Sequence, residues 1–203
     1  MKRVTWSAVA AGVVFAAGYI MMITIPGGGD STDSSFADYY DSSSRRAVGL
    51  IGAAVLVLGV ALCFWFLLEL RAVLGASAAS IGAQLGHGLA VAGLVLVAAG
   101  GAITTGPTGV QLNNDPFVGI PIAQTLSQAG LAVELLAGMS LLALATILLA
   151  RVAKVTGVLA NWVAIAGIVA GVIMFGSYIW LPGLIFPIWL VVVGITGLRK
   201  PTA

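Results

Sequence analysis

Residues 47–68 have the sequence AVGLIGAAVLVLGVALCFWFLL, which contains no charged side chain. A helix needs about 20 apolar residues to cross the bilayer core of about 30 Å, and backbone groups cannot stay unpaired in lipid. This stretch therefore predicts a membrane-spanning helix. The rest of the chain has the same character, because 60% of its 203 residues are hydrophobic and 8% are charged. In a soluble protein about a quarter of the residues are charged.

Six segments reach or approach the length of a membrane-spanning helix. The predicted fold is therefore all-α, a polytopic transmembrane bundle of six helices that forms a single integral membrane domain over residues 1–203. The first segment follows Lys2 and Arg3, as a cleaved signal peptide does, but its apolar run exceeds the roughly 7–15 residues of a signal sequence, so we expect it to be retained. The predicted spans are Val4–Ile25, Ala47–Leu68, Ser80–Gly101, Ala123–Ala150, Val155–Tyr178 and Leu181–Leu198.

The basic residues predict the orientation of the bundle, because lysine and arginine accumulate on the cytoplasmic side of membrane proteins. If the six spans alternate in direction, Arg45 and Arg46 fall on one side and the rest of the nine basic residues fall on the other. Both termini are thus expected in the cytoplasm, in a cell (cytoplasmic) membrane, with extracytoplasmic loops at 27–46 and 104–122. The residues on the cytoplasmic side are Lys2, Arg3, Arg71, Arg151, Lys154, Arg199 and Lys200.

The second extracytoplasmic loop, Thr104–Ile122, is rich in glycine and contains Pro107, Pro116 and Pro121. Proline and glycine interrupt helices, so we expect turns or a short interfacial segment here instead of a continuous helix. Pro187 inside the sixth span predicts a kink, because proline removes a helical hydrogen bond.

The first extracytoplasmic loop combines aromatic and acidic residues. Phe36, Tyr39 and Tyr40 are expected to rest at the level of the lipid headgroups, where amphipathic rings are enriched. The four aspartates of the loop lack the spacing of a calcium-binding loop and its bidentate glutamate. Solvation by water is the simpler interpretation, and weak binding of divalent ions or headgroups is the alternative. These aspartates are Asp30, Asp33, Asp38 and Asp41.

Small residues recur at helical spacing in the spans, as in Gly82-x-x-x-Gly86 and Gly167-x-x-x-Gly171. Lipid supplies no hydrophobic drive between helices, so close backbone approach must hold such a bundle together. We interpret these pairs as internal packing sites. The alternative is a seam for a homo-oligomer or a larger membrane complex.

Glu134 is the strongest candidate for an intramembrane polar site. It lies about nine residues into the fourth span, on the order of 13 Å from the outer boundary. A charged carboxylate at that depth costs about 2.5–3.5 kcal/mol on insertion scales, so the side chain is expected to face protein or water. The functional interpretation is a proton carrier or ligand group, and the structural one is a hydrogen-bond clamp between two helices.

His87 is the single imidazole of the chain. It lies about 10 Å from the cytoplasmic boundary of the third span. Across a core of about 30 Å, its depth then differs from that of Glu134 by only about 6 Å. The spacing predicts that His87 can pair with Glu134, and that Gln84, one turn away, completes the candidate site. The alternative is that His87 is a packing residue.

The sequence contains no pattern that predicts a catalytic residue, a cofactor or a metal site. Intramembrane metalloproteases need the motif H-E-x-x-H, whereas this chain has one histidine, and retinal proteins need a lysine in mid-span. Cys63 is the single cysteine, so an intrachain disulfide is excluded. No basic run exceeds two residues, so we expect no binding to nucleic acid.

Three features of the first third of the chain give it a general resemblance to other proteins. They are the residues MKR before the first helix, a polar loop that ends in Arg45-Arg46, and a glycine-rich second span that closes in Leu68-Glu69-Leu70-Arg71. In these features the chain resembles uncharacterised bacterial six-span membrane proteins. The resemblance implies a six-span fold and brings with it no activity, cofactor or site residue.

Two functions are therefore expected from the sequence. The first is an accessory or structural membrane component that packs against itself or a larger complex, which agrees with the scarcity of polar groups in the spans. The second is a small transporter or channel that uses Glu134, with His87 and Gln84, for proton or solute coupling. An enzyme is not expected, because no nucleophile, base and orienting group can be assembled.

Overall fold

The structure is a computed structural model that describes residues 5–27, 31–112, 119–176 and 181–199. The described chain is helical throughout, apart from turns and connections, and contains no strand, which confirms the all-α prediction for these residues. Its helices are α1 (Trp6–Met22), α2 (Asp33–Asp41), α3 (Ser43–Leu74), α4 (Ile81–Leu112), α5 (Ile120–Leu131), α6 (Met139–Val155), α7 (Asn161–Met174) and α8 (Ile185–Thr196).

Several of these helices are apolar enough to lie in a membrane. Three helical stretches are long and apolar enough to cross one, and three shorter helices are also apolar. Each of the six predicted spans overlaps one of them, although Val4, Ser177 and Tyr178 lie outside the described residues, as do Asp30, Asp115 and Pro116 of the loops. The long stretches are Ser43–Ala79, Ile81–Gln111 and Ile120–Val155; the shorter ones are Trp6–Met22, Asn161–Met174 and Leu181–Thr196.

The apolar helices form a closed ring. In the order α1, α3, α4, α6, α7 and α8, each helix packs against the next, and α8 packs against α1. The centre of the ring is filled by apolar side chains that include Phe15 and Leu94, both almost wholly buried. A cavity of about 20 Å³ remains between Cys63, Leu142 and Trp189, which is room for about one water molecule.

Glycines set the distance between neighbouring helices of the ring. A methyl group on Gly59 of α3 would lie 2.6 Å from the Cα atom of Phe15 in α1, and one on Gly12 of α1 would lie 2.5 Å from the carbonyl oxygen of Pro187 in α8. Such close approach is typical of helices in membrane proteins, because lipid supplies no hydrophobic drive between helices. The α1–α3 and α1–α8 interfaces are therefore built on backbone contact.

The glycine pairs singled out in the sequence also pack inside the chain. Gly86 faces Leu149 of α6, and Gly82 faces Val152 one turn further along the same helix. Gly167 lies against the indole of Trp189, and Gly171 lies against α6. The internal-packing interpretation accounts for these four glycines, and the oligomer seam stays a prediction.

The two ends of the bundle carry different charges. Arg71, Arg151, Lys154 and Arg199 lie at the end where α3 and α6 finish; we call this the basic end. Its contacts tie the chain together: the backbone N–H of Thr5 donates to Gly194, and that of Arg199 donates to Val158. The opposite, acidic end carries α2 with Asp33, Asp38 and Asp41.

The expectation of an irregular segment from Thr104 onward is wrong for residues 104–112. Helix α4 continues through Pro107 to Leu112. Proline is tolerated in helices of membrane proteins when nearby threonine side chains satisfy freed backbone groups. The Thr105 hydroxyl donates to the carbonyl oxygen of Gly101 at 2.8 Å and is 3.3 Å from that of Ala102. It therefore reinforces the turn before the proline, whereas the carbonyl that loses its helical N–H partner at Pro107 is that of Ile103.

Pro187 does not lie in the middle of a helix, contrary to the predicted kink. A 3₁₀ turn, Leu181–Leu184, precedes α8, which begins at Ile185. Pro187 is therefore the third residue of the helix. The backbone N–H groups of the first turn have no partner within a helix, so proline costs little at this position.

The aromatic residues of the first loop do not lie at the surface. Helix α2 is amphipathic, with Phe36, Tyr39 and Tyr40 on one face, and these side chains are 1%, 1% and 4% exposed. Their spacing of three and four residues places them on one side of a helix. Thr32 and Ser35 form a capping box that fixes the start of α2. The helix thus covers the acidic end of the bundle.

Candidate functional site

Glu134 lies where α5 and α6 join. The two helices are continuous through a π-helical segment, Ala132–Gly138, in which the helix is locally widened. Such segments are rare and occur frequently at functional sites. The opposite wall is Gly100 of α4: a methyl group there would lie 2.6 Å from the backbone nitrogen of Glu134 and 2.7 Å from its Cβ atom. The carboxyl group is consequently held inside the bundle and is 0% exposed.

The carboxyl group of Glu134 has no hydrogen-bond partner within the described protein. Both oxygens, Oε1 and Oε2, are buried and unpaired. A buried polar group without a partner costs about 1–3 kcal/mol, so native proteins satisfy almost all of them. A clamp between helices requires a donor on the neighbouring helix, and none meets the carboxyl group here. The geometry therefore argues against the clamp interpretation.

Other polar groups line the same interface towards the acidic end. On α4, Gly100 is followed at helical spacing by Thr104, Thr108 and Gln111, and on the facing helix Ser127 and Gly130 precede Glu134 in the same way. The Thr104 hydroxyl lies directly over the Cα atom of Gly130, where a methyl group would collide with it. We call Glu134, Thr104, Ser127, Thr108 and Gln111 the polar seam.

The polar seam is only partly satisfied. Ser127 Oγ donates to the carbonyl oxygen of Pro26 at 2.6 Å, and the hydroxyls of Thr108 and Tyr39 are 3.5 Å apart. Thr104 Oγ1 and Gln111 Oε1 are buried and unpaired, like the oxygens of Glu134. The unpaired atoms thus continue from the buried carboxyl group towards one end of the bundle.

Helix α2 closes the acidic end of the seam. Tyr39 lies between α3 and α4, with its hydroxyl against Gly49 and near Thr108. Burial raises the pKa of the Tyr39 phenol, while the Thr108 hydrogen bond and the positive charge of Arg46 lower it again in part. The net shift is upward, so the phenol is uncharged at neutral pH. Arg46 also donates to the carbonyl oxygen of Tyr40 and so fixes the end of α2.

The structure does not bring His87 and Gln84 to Glu134. Gly100 marks the level of Glu134 on α4, and His87 lies about 20 Å from it along that helix at about 1.5 Å per residue. His87 Nδ1 is 2.7 Å from the carbonyl oxygen of Ala83 in the preceding turn. Gln84 is exposed and donates to Ala79 at the basic end. The predicted His87–Glu134 pair is therefore wrong, because α4 and α6 are in a different register from the one that equal depths implied.

The basic end holds the other glutamate of the chain in an ordinary environment. Glu69 accepts a hydrogen bond from the Ser7 hydroxyl at 2.6 Å and one from the Trp65 indole at 3.0 Å. Among the residues that the structure describes, no group of three or more histidine, cysteine, aspartate or glutamate side chains could hold a metal ion. Glu134 and the polar seam are therefore the candidate site.

Comparison with known proteins adds no assignment. No protein-family model matches the chain, and neither a curated protein nor a solved structure shows significant similarity to it. The class that the described structure supports is an all-helical protein with helices apolar enough to span a membrane.

The sequence interpretation missed most of the seam. Thr104, Thr108 and Gln111 were assigned to a loop because of Pro107 and the glycines around it. Their spacing of four and three residues was the available signal, since it places them on one face of a helix. The same signal connects Ser127 to Glu134 two turns later.

Proposed function

We propose that the chain crosses the membrane six times, with the basic end in the cytoplasm. The three long apolar helices and three shorter ones support this topology, and so does the separation of charge between the two ends of the ring. Arg71, Arg151, Lys154 and Arg199 share one end, as the bias of cytoplasmic lysine and arginine requires. The resemblance to bacterial six-span proteins favours the cytoplasmic membrane of a bacterial cell.

The topology predicts the positions of reporter tags. A fluorescent tag that matures only in the cytoplasm should be active at either terminus, whereas a periplasmic phosphatase reporter should be active when it is inserted next to Ser43. Activity of the two terminal tags on opposite faces would disprove six crossings, since an even number of spans returns the chain to its starting side.

We further propose that the protein is a small proton-coupled transporter or channel in which Glu134 binds the proton. The observation that carries this proposal is the carboxyl group itself, 0% exposed with both oxygens unpaired. Acidic side chains inside membrane helices are expensive and typically mark proton or ion pathways. The π segment and the adjacent unpaired hydroxyl of Thr104 support the same interpretation.

Proton exchange at Glu134 can be measured directly in the reconstituted protein. Infrared difference spectra between low and high pH contain carbonyl bands from all of the acidic side chains that become protonated, and subtraction of the Glu134→Gln spectrum from that of the native protein should leave one further band, which belongs to Glu134. In liposomes with a pH-sensitive dye, an imposed membrane potential should drive proton uptake that Glu134→Gln reduces to the level of empty liposomes. Glu69→Gln is the matched control and should retain both signals, because Glu69 has hydrogen-bond donors in Ser7 and Trp65. Identical carbonyl bands in the native protein and Glu134→Gln, or a flux that survives in Glu134→Gln, would contradict the proposal.

The second candidate function is an accessory or structural membrane component. It is favoured by the small number of buried polar side chains in the described bundle, namely Thr5, Thr104, Thr105, Thr108, Ser127, Glu134 and Thr146. It is also favoured by the filled centre of the ring. This role predicts that the protein leaves its native membrane in mild detergent with a second protein or a second copy attached, and that Glu134→Gln leaves this complex intact.

A further inference from the structure

We infer that the Glu134 carboxyl group exchanges its proton with water at the acidic end of the bundle, along the polar seam, and that Tyr39 of α2 closes this route. The inference rests on the proposed proton binding at Glu134 and adds the side of access and the closing residue. The evidence for this route is the positions of the unpaired polar atoms and the contacts of α2.

The direction of the route follows from where the unpaired atoms lie. From the level of Gly100, α4 presents Thr104 after about 6 Å, Thr108 after about 12 Å and Gln111 after about 16 Å, at about 1.5 Å per residue. Thr104 and Gln111 keep an unpaired oxygen in the interior. Buried polar groups without protein partners are the groups that internal water satisfies. Water molecules between these oxygens would connect the carboxyl group to the acidic end.

In the opposite direction, the described part of the α4–α6 interface next to Gly100 offers no such groups, and the next unpaired polar atom on α4 is His87 Nε2, about 20 Å away. From Gly100 towards the basic end, Gly93 of α4 packs against Gly138 and Leu142. Further along the same interface, Gly86 packs against Leu149. The cavity at the ring centre is lined almost entirely by apolar side chains, and Glu134 is not among them. A proton therefore meets an apolar barrier between Glu134 and the basic end.

Few charged or titratable side chains lie near Glu134 in the described part of the chain. On α1, Tyr19 is the titratable side chain within the electrostatic range of Glu134. On α4, the nearest polar side chain is Thr104, and His87 is about 20 Å away along the helix. On the acidic end lie Asp33 of α2 and Gln124 of α5, whose side chains are joined by a hydrogen bond of 2.6 Å.

Tyr39 is the residue that closes the seam. Its ring is 1% exposed, and its hydroxyl lies between Gly49 of α3 and Thr108 of α4. Two tethers hold α2 over this point, the Asp33–Gln124 hydrogen bond and the Arg46 side chain on the carbonyl oxygen of Tyr40. The ring blocks the space above Thr108, so removal of the ring should open the seam, whereas removal of the hydroxyl alone should not.

Thiol labelling tests the route without any need for transport. Cys63 is replaced by alanine, and single cysteines are introduced as Thr104→Cys, Thr108→Cys and, as a control in the basic half, Thr146→Cys. Thr146 is 2% exposed and donates to Leu142. A membrane-impermeant thiol reagent is then added to one face of oriented vesicles at a time.

We expect Thr104→Cys and Thr108→Cys to react with reagent added on the face of the acidic end and Thr146→Cys to stay unreactive. Tyr39→Ala should raise the labelling rate about tenfold or more, and Tyr39→Phe should change it less than about twofold. If Tyr39→Ala fails to give a monodisperse protein in detergent, Arg46→Gln serves as the second opening variant, since it releases the Tyr40 tether.

Two results would overturn the inference. One is labelling of Thr104→Cys from the face of the basic end alone, and the other is a labelling rate that neither Tyr39→Ala nor Arg46→Gln raises. Its failure is separable from that of the proposed function: proton uptake that depends on Glu134 without labelling rejects the route alone, and labelling without such uptake rejects proton coupling alone.

Discussion

The Gly100→Ala protein is expected to lose about 2–3 kcal/mol of stability, although the substitution adds one methyl group. That methyl carbon would lie 2.6 Å from the backbone nitrogen of Glu134 and 2.6 Å from the carbonyl oxygen of Gly130. Both atoms belong to the helix backbone, so neither can rotate away. The α4–α5 interface must separate, and overpacking of this kind costs about 1–3 kcal/mol or somewhat more.

Gly88→Ala is the matched control for Gly100→Ala. Gly88 lies in the same helix, and no atom lies within 4 Å of a methyl group added there. Alanine should leave the stability unchanged or raise it by up to about 1 kcal/mol, because glycine weakens a helix interior. Unfolding in mixed micelles, followed by circular dichroism as the denaturing detergent increases, measures both variants. Equal stabilities for the two would show that α4 and α5 are not in the close contact described here.

The Glu134→Met protein is expected to be more stable than the native protein by about 1–3 kcal/mol. The side chain is buried and its two oxygens have no partner in the described protein, and a buried polar group without a protein partner costs up to about that amount. Methionine has a similar length, is unbranched and flexible, and carries no strong polar group. It should fill the space beside Gly100 without strain.

The same variant separates stability from function. Glu134→Met should gain stability and lose proton uptake, whereas a clamp residue would lose stability on the same change. Glu134→Gln is the control, because it keeps an unpaired polar group in the site and should gain less than Glu134→Met. The measurement is the same detergent titration, at one pH for all three proteins. A clear loss of stability in Glu134→Met would mean that the carboxyl group has a stabilising partner after all.

The predictions for Gly100→Ala and Glu134→Met concern the same interface, that between α4 and the π segment. Gly100 allows α4 to approach the π segment, and this approach is what encloses Glu134. A chain that retains an unpaired acid in such a place does so at a cost in stability, and residues at functional sites commonly carry such a cost. The stability gained in Glu134→Met and the proton binding lost in it are thus expected to go together.

The sequence predicts helices that are apolar enough to lie in a membrane, and the structure confirms that such helices form. Long runs without charge, such as residues 47–68, predict apolar helices, because hydropathy is a property of each residue and sums along a segment. Glu134 could be singled out for the same reason, since an acid in an apolar run is visible without any knowledge of its neighbours. The start of α4 near Ser80 was predicted for the same reason, whereas α3 begins at Ser43, four residues before the predicted span.

The tertiary structure alone decided which residues meet. Equal depth suggested a pair between His87 and Glu134, but the register of α4 against α6 is set by Gly86, Gly93 and Gly100, each of which accepts one particular part of the facing helix. Likewise, Pro107 predicted a break, yet α4 continues as a helix through it to Leu112. Register depends on the steric fit of two surfaces over many small contacts, and no single segment of the sequence contains both surfaces. The polar seam and its cover by Tyr39 exist for that reason only in the folded chain.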